Sequence, residues 1–224
     1  MRTICIIPAF NEAGRIERVL AVATRCTMID LVLVANNGST DDTRERAECF
    51  GVEVIDCPER GKGNAITYVM AQRVASDDVV LLLDADLVGL CEEHIVALLA
   101  PVVHGGYVQA AGVCDTTFKR LHWRWHVGLS GERAFRASLL WEVCEIDYQG
   151  WALEAALNAI CRWSLLRNKR QIAKVLMRGV RSIDKLDKYP TRRSAYIAKR
   201  AVFKEWLLGT ARFILPVRFK PWLS

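Results

Sequence analysis

Asp84 and Asp86 close the apolar run VVLLLDAD (79–86), two carboxylates one residue apart in a stretch with no other polar side chain. An unpaired acid is costly to bury, so the chain must surface there or meet a cation. Two hard oxygen donors suit Mg2+ or Mn2+, with phosphate oxygens of a substrate completing the coordination. Upstream, residues 59–65 read ERGKGNA, with glycines around Lys62 just ahead of a helical pattern. Backbone N–H groups at a helix start, with a cation beside them, suit phosphate oxygens. PAFNE (8–12) and NNGSTDD (36–42) each end an aliphatic run in polar groups. Together the four stretches fit a diphosphate bridged by a divalent ion.

They can share one place only if the intervening elements line up. Residues 3–10 (TICIIPAF) read as a strand, and 11–26 carry helical spacing in Ile16, Val19, Leu20 and Ala23. DLVLVANN (30–37) is a second strand, and STDDTRERAECF (39–50) opens a helix with Ser/Thr caps and early acids. VEVIDC (52–57) makes a third strand, 63–75 a third helix, and DVVLLLDAD (78–86) a fourth strand. Aliphatic strands alternating with helices imply an α/β fold, a mostly parallel sheet covered on both faces. Ligands of such sheets bind outside the carboxyl ends of the strands, where all four polar stretches fall.

Past Gly106 the pattern loosens. Residues 106–113 read as a strand, 121–135 as irregular and aromatic, 132–145 and 151–166 as helices, and 170–180 as a late strand. Residues 191–215 look helical and end at Pro216. At 224 residues and 25.3 kDa the chain is expected to hold one main domain over 1–190, with 191–224 as a basic helical appendage.

Charge divides the chain. Through Cys161 there are 14 Lys and Arg against 22 Asp and Glu; from Arg162 onward there are 17 against 3. So basic an end expects an anionic partner: a membrane surface, a phosphate-bearing substrate or nucleic acid. No run approaches the roughly 18–20 apolar residues of a membrane span, and the N-terminus lacks an export-signal pattern. Eight scattered cysteines without metal-like spacing fit free thiols in a reducing cytoplasm.

Two phosphate motifs are excluded by inspection. In Walker A the lysine precedes Ser or Thr, whereas Lys62 precedes Gly63; the dinucleotide fingerprint fails at Ile66 and follows the wrong strand. A nucleic-acid-binding module would not need Asp84 and Asp86 beside RGKGNA, so no nucleic-acid partner is expected.

The ordered set IIPAFNEAGRIERVL, VLVANNGSTDDT, RGKGNAI, VLLLDADL and LSGERAF resembles the family 2 glycosyltransferases of GT-A fold, including polyprenyl- and dolichyl-phosphate sugar transferases. The likeness covers about the first 136 residues, and GWALEAALN extends it. It implies a nucleotide-sugar donor and a divalent ion, Mg2+ or Mn2+. By this resemblance Pro8, Phe10 and Glu12 border the nucleoside, while Asn37, Gly38, Ser39 and Asp41 shape the base pocket. Asp84 lies near the ribose or metal, Asp86 is the metal ligand and acts in catalysis, and Lys62 faces the nucleotide or its phosphates. The family often carries Asp where this chain has Asn36.

Such a transfer is expected to invert the anomeric carbon, with the metal and basic groups stabilising the leaving diphosphate. A hydroxyl acceptor needs a base, for which Glu154 is the first candidate and Asp147 and Glu145 the alternatives; a phosphate acceptor needs none. Glu132 and Arg133 fall near a helix start, and Arg133 or Arg136 could hold an acceptor phosphate. His122 and His126, four apart around Trp123 and Trp125, fit an acceptor-side loop better than a metal pair. The basic tail points to a lipid-linked acceptor at the inner membrane face, with a small phosphorylated acid or a growing cell-surface glycan as soluble options. A sugar nucleotidyltransferase is the rival enzyme class, but it usually has a glycine-rich basic loop after strand one, which PAFNEAGR does not supply.

Overall fold

The computed structural model describes residues 1–114, 131–139 and 172–183, with Thr191, Arg193, Tyr196 and Ile197. Its first half alternates strand and helix: β1 (Thr3–Ala9), α1 (Ile16–Ala23), β2 (Leu31–Asn36), α2 (Thr43–Glu48), β3 (Glu53–Asp56), α3 (Lys62–Arg73) and β4 (Val79–Leu82). There follow β5 (Leu87–Val88), α4 (Glu92–Val103), β6 (Gln109–Cys114), β7 (Arg133–Arg136), β8 (Ala173–Met177) and β9 (Arg181–Ser182).

Seven strands form the main sheet in the order β3-β2-β1-β4-β7-β6-β8, and β5 pairs with β9 in a small ribbon. The pairs β3–β2, β2–β1, β1–β4 and β6–β8 are parallel, while β7 runs antiparallel to both neighbours. Two apolar layers cover the sheet. Ile66, Val69 and Met70 of α3 pack with Ile4, Ile6, Leu82 and Phe135 on one face. On the other, Ile16, Val19, Leu20 and Ala23 of α1 and Ile95, Leu98 and Leu99 of α4 pack with Cys5, Ile7 and Leu81. The four α1 residues are those whose spacing marked the helix, and burying them is what makes so short a helix stable.

Three expectations change. The first helix begins at Ile16, not near residue 11, because the N–H groups of Asn11, Glu12 and Ala13 bond side chains of the β2–α2 loop and of Thr43 at the start of α2. The fourth strand ends at Leu82, short of the aspartates. The helix expected over 132–145 gives way to strand β7 over its first residues, and helix starts only at Ala137. The slot between β4 and β6 offers RAFR hydrogen bonds on both sides, and tertiary pairing of that kind overrides a short helical signal.

Among the described residues no helix is long and apolar enough to cross a membrane. The expected second helix over 151–166 and most of the appendage over 191–224 lie outside the described residues.

Candidate active site

Parallel register carries the ends of β2, β1 and β4 to one edge, where Ala9 stands opposite Asn36 and Ile6 opposite Leu82. Beyond that edge the β1–α1 and β2–α2 loops grip each other. Asn11, at φ +54, gives its N–H to Ser39 Oγ at 3.1 Å, and its side-chain oxygen accepts the Thr40 N–H at 2.8 Å. Glu12 N–H donates to Thr43 Oγ1 at 2.8 Å, and Ala13 N–H to Asp41 Oδ2 at 3.2 Å. Ser39 and Asp41, expected to line a base pocket, thus hold the neighbouring loop in place. Burial alone would raise the Asp41 carboxyl pKa. Donation from the Thr43 hydroxyl and from the Ala13 and Thr43 N–H groups outweighs it and holds the pKa below the ordinary value.

Asn36 ends β2 directly opposite Asp56, the last residue of β3. Its amide nitrogen donates to Asp56 Oδ1 at 2.7 Å, its amide oxygen accepts the Ser39 N–H at 3.2 Å, and Arg44 pairs with the other Asp56 oxygen. The amide therefore uses both ends, as an aspartate could not. Phe10, 43% exposed, presents its ring to the Arg60 guanidinium at 5.3 Å from the centroid, a cation–π contact missed at the sequence level. Glu12 is buried beside this surface and pairs with Arg15 at 2.9 Å. Pro8 and Gly38 lie in the backbone framing it, Gly38 at φ +75 with Arg60 alongside.

The β3–α3 loop closes the other side. Gly61 sits at φ +132, and Lys62 opens α3 with its ammonium 2.7 Å from Asp84 Oδ1. Gly131 packs against this pair: a Cβ there would lie 2.7 and 2.8 Å from the Asp84 oxygens and 2.9 Å from Lys62 Nζ. Asp86, two residues on, is buried at 7% exposure. Two carboxylates at a strand exit, one of them already attracting an ammonium, fit a divalent ion that takes its remaining ligands from phosphate and water. Among the described residues no group of three His, Cys, Asp or Glu forms a cage by itself.

The two arginines part company. Arg133 is wholly buried opposite Leu82, at the same edge as Asp84. Arg136 pairs with Val79 at the far end of β4, and its guanidinium reaches the Val102 carbonyl of α4 at 3.4 Å, so it stays away from the cluster. Strand geometry, not the expected helix, separates them. Glu132 is buried next to Arg133. Glu154, Glu145, Asp147, His122, His126, Trp123 and Trp125 lie outside the described residues.

Known proteins share this fold. The model of Glycosyl transferase family 2 matches residues 4–167. Glucosyl-3-phosphoglycerate synthase of Mycobacterium tuberculosis is 33% identical over an aligned length of 119, covering 48% of this chain and 36% of that protein. Glycosyltransferase AglJ of Haloferax volcanii is 38% identical over 84 residues, 37% of this chain and 27% of its own length. The chain thus spans about a third of the length of these curated relatives. A crystal structure of the M. tuberculosis synthase with Mn2+, UDP-glucose and phosphoglyceric acid superposes with a TM-score of 0.70 at 22% identity, over 94% of this chain and 80% of that one. That superposition establishes the GT-A fold. Since the family match runs from the first strand well past the two aspartates, the chain belongs to glycosyl transferase family 2.

Proposed function

We propose that the chain transfers a sugar from a nucleoside diphosphate donor, in a divalent-ion-dependent reaction, to a phosphate-bearing acceptor. The observation that carries this is the Lys62–Asp84 pair beside buried Asp86, between the Phe10–Arg60 surface and Gly131. A flat apolar and cationic surface suits a base, and an ammonium with two carboxylates suits a diphosphate and its counter-ion. Asp86, with Asp84, would hold Mg2+ or Mn2+, which when bound offsets charge on the departing diphosphate. Lys62 adds a second positive charge there, and Pro8, Phe10, Glu12, Asn37 and Gly38 frame the nucleoside. Ser39 and Asp41 fix that frame from behind.

The M. tuberculosis structures are complexes with Mn2+, UDP or UDP-glucose, and phosphoglyceric acid or glycerol 3-phosphate. They make a uridine diphosphate sugar the first donor to try and a small phosphorylated acid the first acceptor. The 17 Lys and Arg from Arg162 onward would favour such an anion, or a lipid-linked phosphate at a membrane surface. Arg133 is the acceptor-side cation on the sheet edge, and Glu154 the base if a hydroxyl attacks.

A thermal-shift panel of UDP-, GDP- and dTDP-sugars, with and without Mn2+, on wild type and Asp86→Ala tests the donor half. We expect a metal-dependent rise for a uridine nucleotide that the variant loses. No rise with any nucleotide in folded wild type would overturn the reading. Product formation with phosphoglycerate against polyprenyl phosphate in anionic vesicles then separates the acceptors. If Glu154 is the base for a hydroxyl, Glu154→Gln loses about 100- to 10,000-fold in kcat; a phosphate nucleophile would leave it active.

A further inference from the structure

The Asn37 side chain ties the base side of the site to its phosphate side. Its amide oxygen accepts the Gly61 N–H at 2.8 Å, across 24 residues of sequence. A backbone N–H can only donate, so this bond fixes which way the amide points. Gly61 is also where the β3–α3 loop most needs a tie. It stands at φ +132, where only glycine is at ease, and it precedes α3 as an N-cap without a side-chain cap. From the α3 side Asn64 closes the turn, donating to the Arg60 carbonyl at 3.2 Å. The residue after Gly61 is Lys62, whose ammonium meets Asp84 at 2.7 Å.

We infer that Asn37 is a positioning residue for Lys62. By holding the Gly61 N–H it fixes the first turn of α3 and aims the ammonium at Asp84, so an occupant of the β2–α2 loop steadies the cation that faces the diphosphate. The effect on donor binding rests on the function proposed above; the positioning itself does not.

The ligand-free protein decides it. Lys62, 18% exposed and paired, should acetylate slowly with an N-hydroxysuccinimide ester, read by mass spectrometry. Asn37→Leu and the smaller Asn37→Ala both remove the acceptor, and Asn37→Asp keeps it. We expect Lys62 labelling to rise about fivefold in the first two, the population change that losing one neutral hydrogen bond allows, and to stay at the wild-type rate in Asn37→Asp. A circular-dichroism melt of each variant reports global unfolding, and Lys174, exposed on β8, is the internal reference whose labelling should not change. An unchanged Lys62 rate in folded Asn37→Ala, or an equal rise in Asn37→Asp, would overturn the assignment.

A second arm compares Mn2+-dependent UDP binding in Asn37→Ala, Lys62→Met and the double variant. Positioning through Lys62 expects the double variant to be no weaker than Lys62→Met alone. Additive losses would make Asn37 a base contact only. If wild type binds no UDP, the donor reading fails while the labelling result still stands.

Discussion

Gly131→Ala separates donor binding from folding more cleanly than any change to a charged group. The new methyl would stand 2.7 Å from the nearer Asp84 oxygen and 2.9 Å from Lys62 Nζ, where ordinary contact begins at 3.4 Å. The carboxylate must therefore retreat by about 0.7 Å and the ammonium by about 0.5 Å. The three nearest atoms are all ends of side chains, which can give way before the backbone does. We put the folding cost at about 1 kcal/mol, the low end for overpacking, which lowers Tm by about 2–4 °C in a chain of this size.

Function should suffer more. A retreat of that size stretches the 2.7 Å Lys62–Asp84 contact past good hydrogen-bond geometry. Hydrogen bonds to charged groups contribute about 1.5–3 kcal/mol, or roughly 10- to 150-fold in affinity. Titration calorimetry of UDP in Mn2+, beside a melt of each protein, should thus show at least a tenfold affinity loss with a small Tm change. Gly14→Ala is the control, since a Cβ there meets nothing within 4 Å. If Gly131→Ala binds UDP within about twofold of wild type, the Lys62–Asp84 contact plays no part in holding the donor.

Asn36→Asp would set a carboxylate against Asp56, replacing a 2.7 Å donor–acceptor contact by repulsion. Urea melts should show a loss of about 1–3 kcal/mol at pH 7. Asp78 and Asp41 contribute to acid stability. Burial alone would raise Asp78, but the N–H groups of Ala75 and Arg2 and the Arg2 guanidinium hold it below 3.8, as their counterparts hold Asp41. A depressed folded pKa stabilises the protein above the unfolded value and ceases to as pH falls through the folded one. Tm should therefore drop below about pH 3.8, and Asp78→Asn should flatten that drop while lowering Tm at neutral pH. Gly89→Ala combines φ +79 with a Cβ driven into the Gly179 carbonyl oxygen; calorimetry should show about 2 kcal/mol or more lost.

The first four strands and their helices were legible because each carries its own period, aliphatic through the sheet and Ile16, Val19, Leu20, Ala23 along one helix face. β7 was not. RAFR is four residues long, and its strand state comes from β4 and β6, which precede it by some fifty and twenty residues. Only that pairing tells Arg133 from Arg136. In a helix the two would share a face, whereas in β7 three strand steps of about 3.3 Å separate them along the sheet. One ends beside Leu82 at the edge of the site, and the other beside Val79 and α4.

The site residues divide in the same way. Lys62 and Asp84 could be placed together because each falls at an element end on one sheet edge, where the structure brings them to 2.7 Å. Ser39 and Asp41 were recognised by type, yet their partners are the N–H groups of Asn11 and Ala13, and no local pattern records a bond across 28 residues. Asn36 resolves similarly. Where the resemblance would allow an aspartate, the register sets Asp56 directly opposite, and a second carboxylate there would repel it. An amide gives Asp56 a donor while its own oxygen holds Ser39, so the substitution keeps the loop's hydrogen bonds without adding charge. The reason for Asn36 lies in β3, twenty residues on, and this makes it a structural choice before it is a statement about the donor's base.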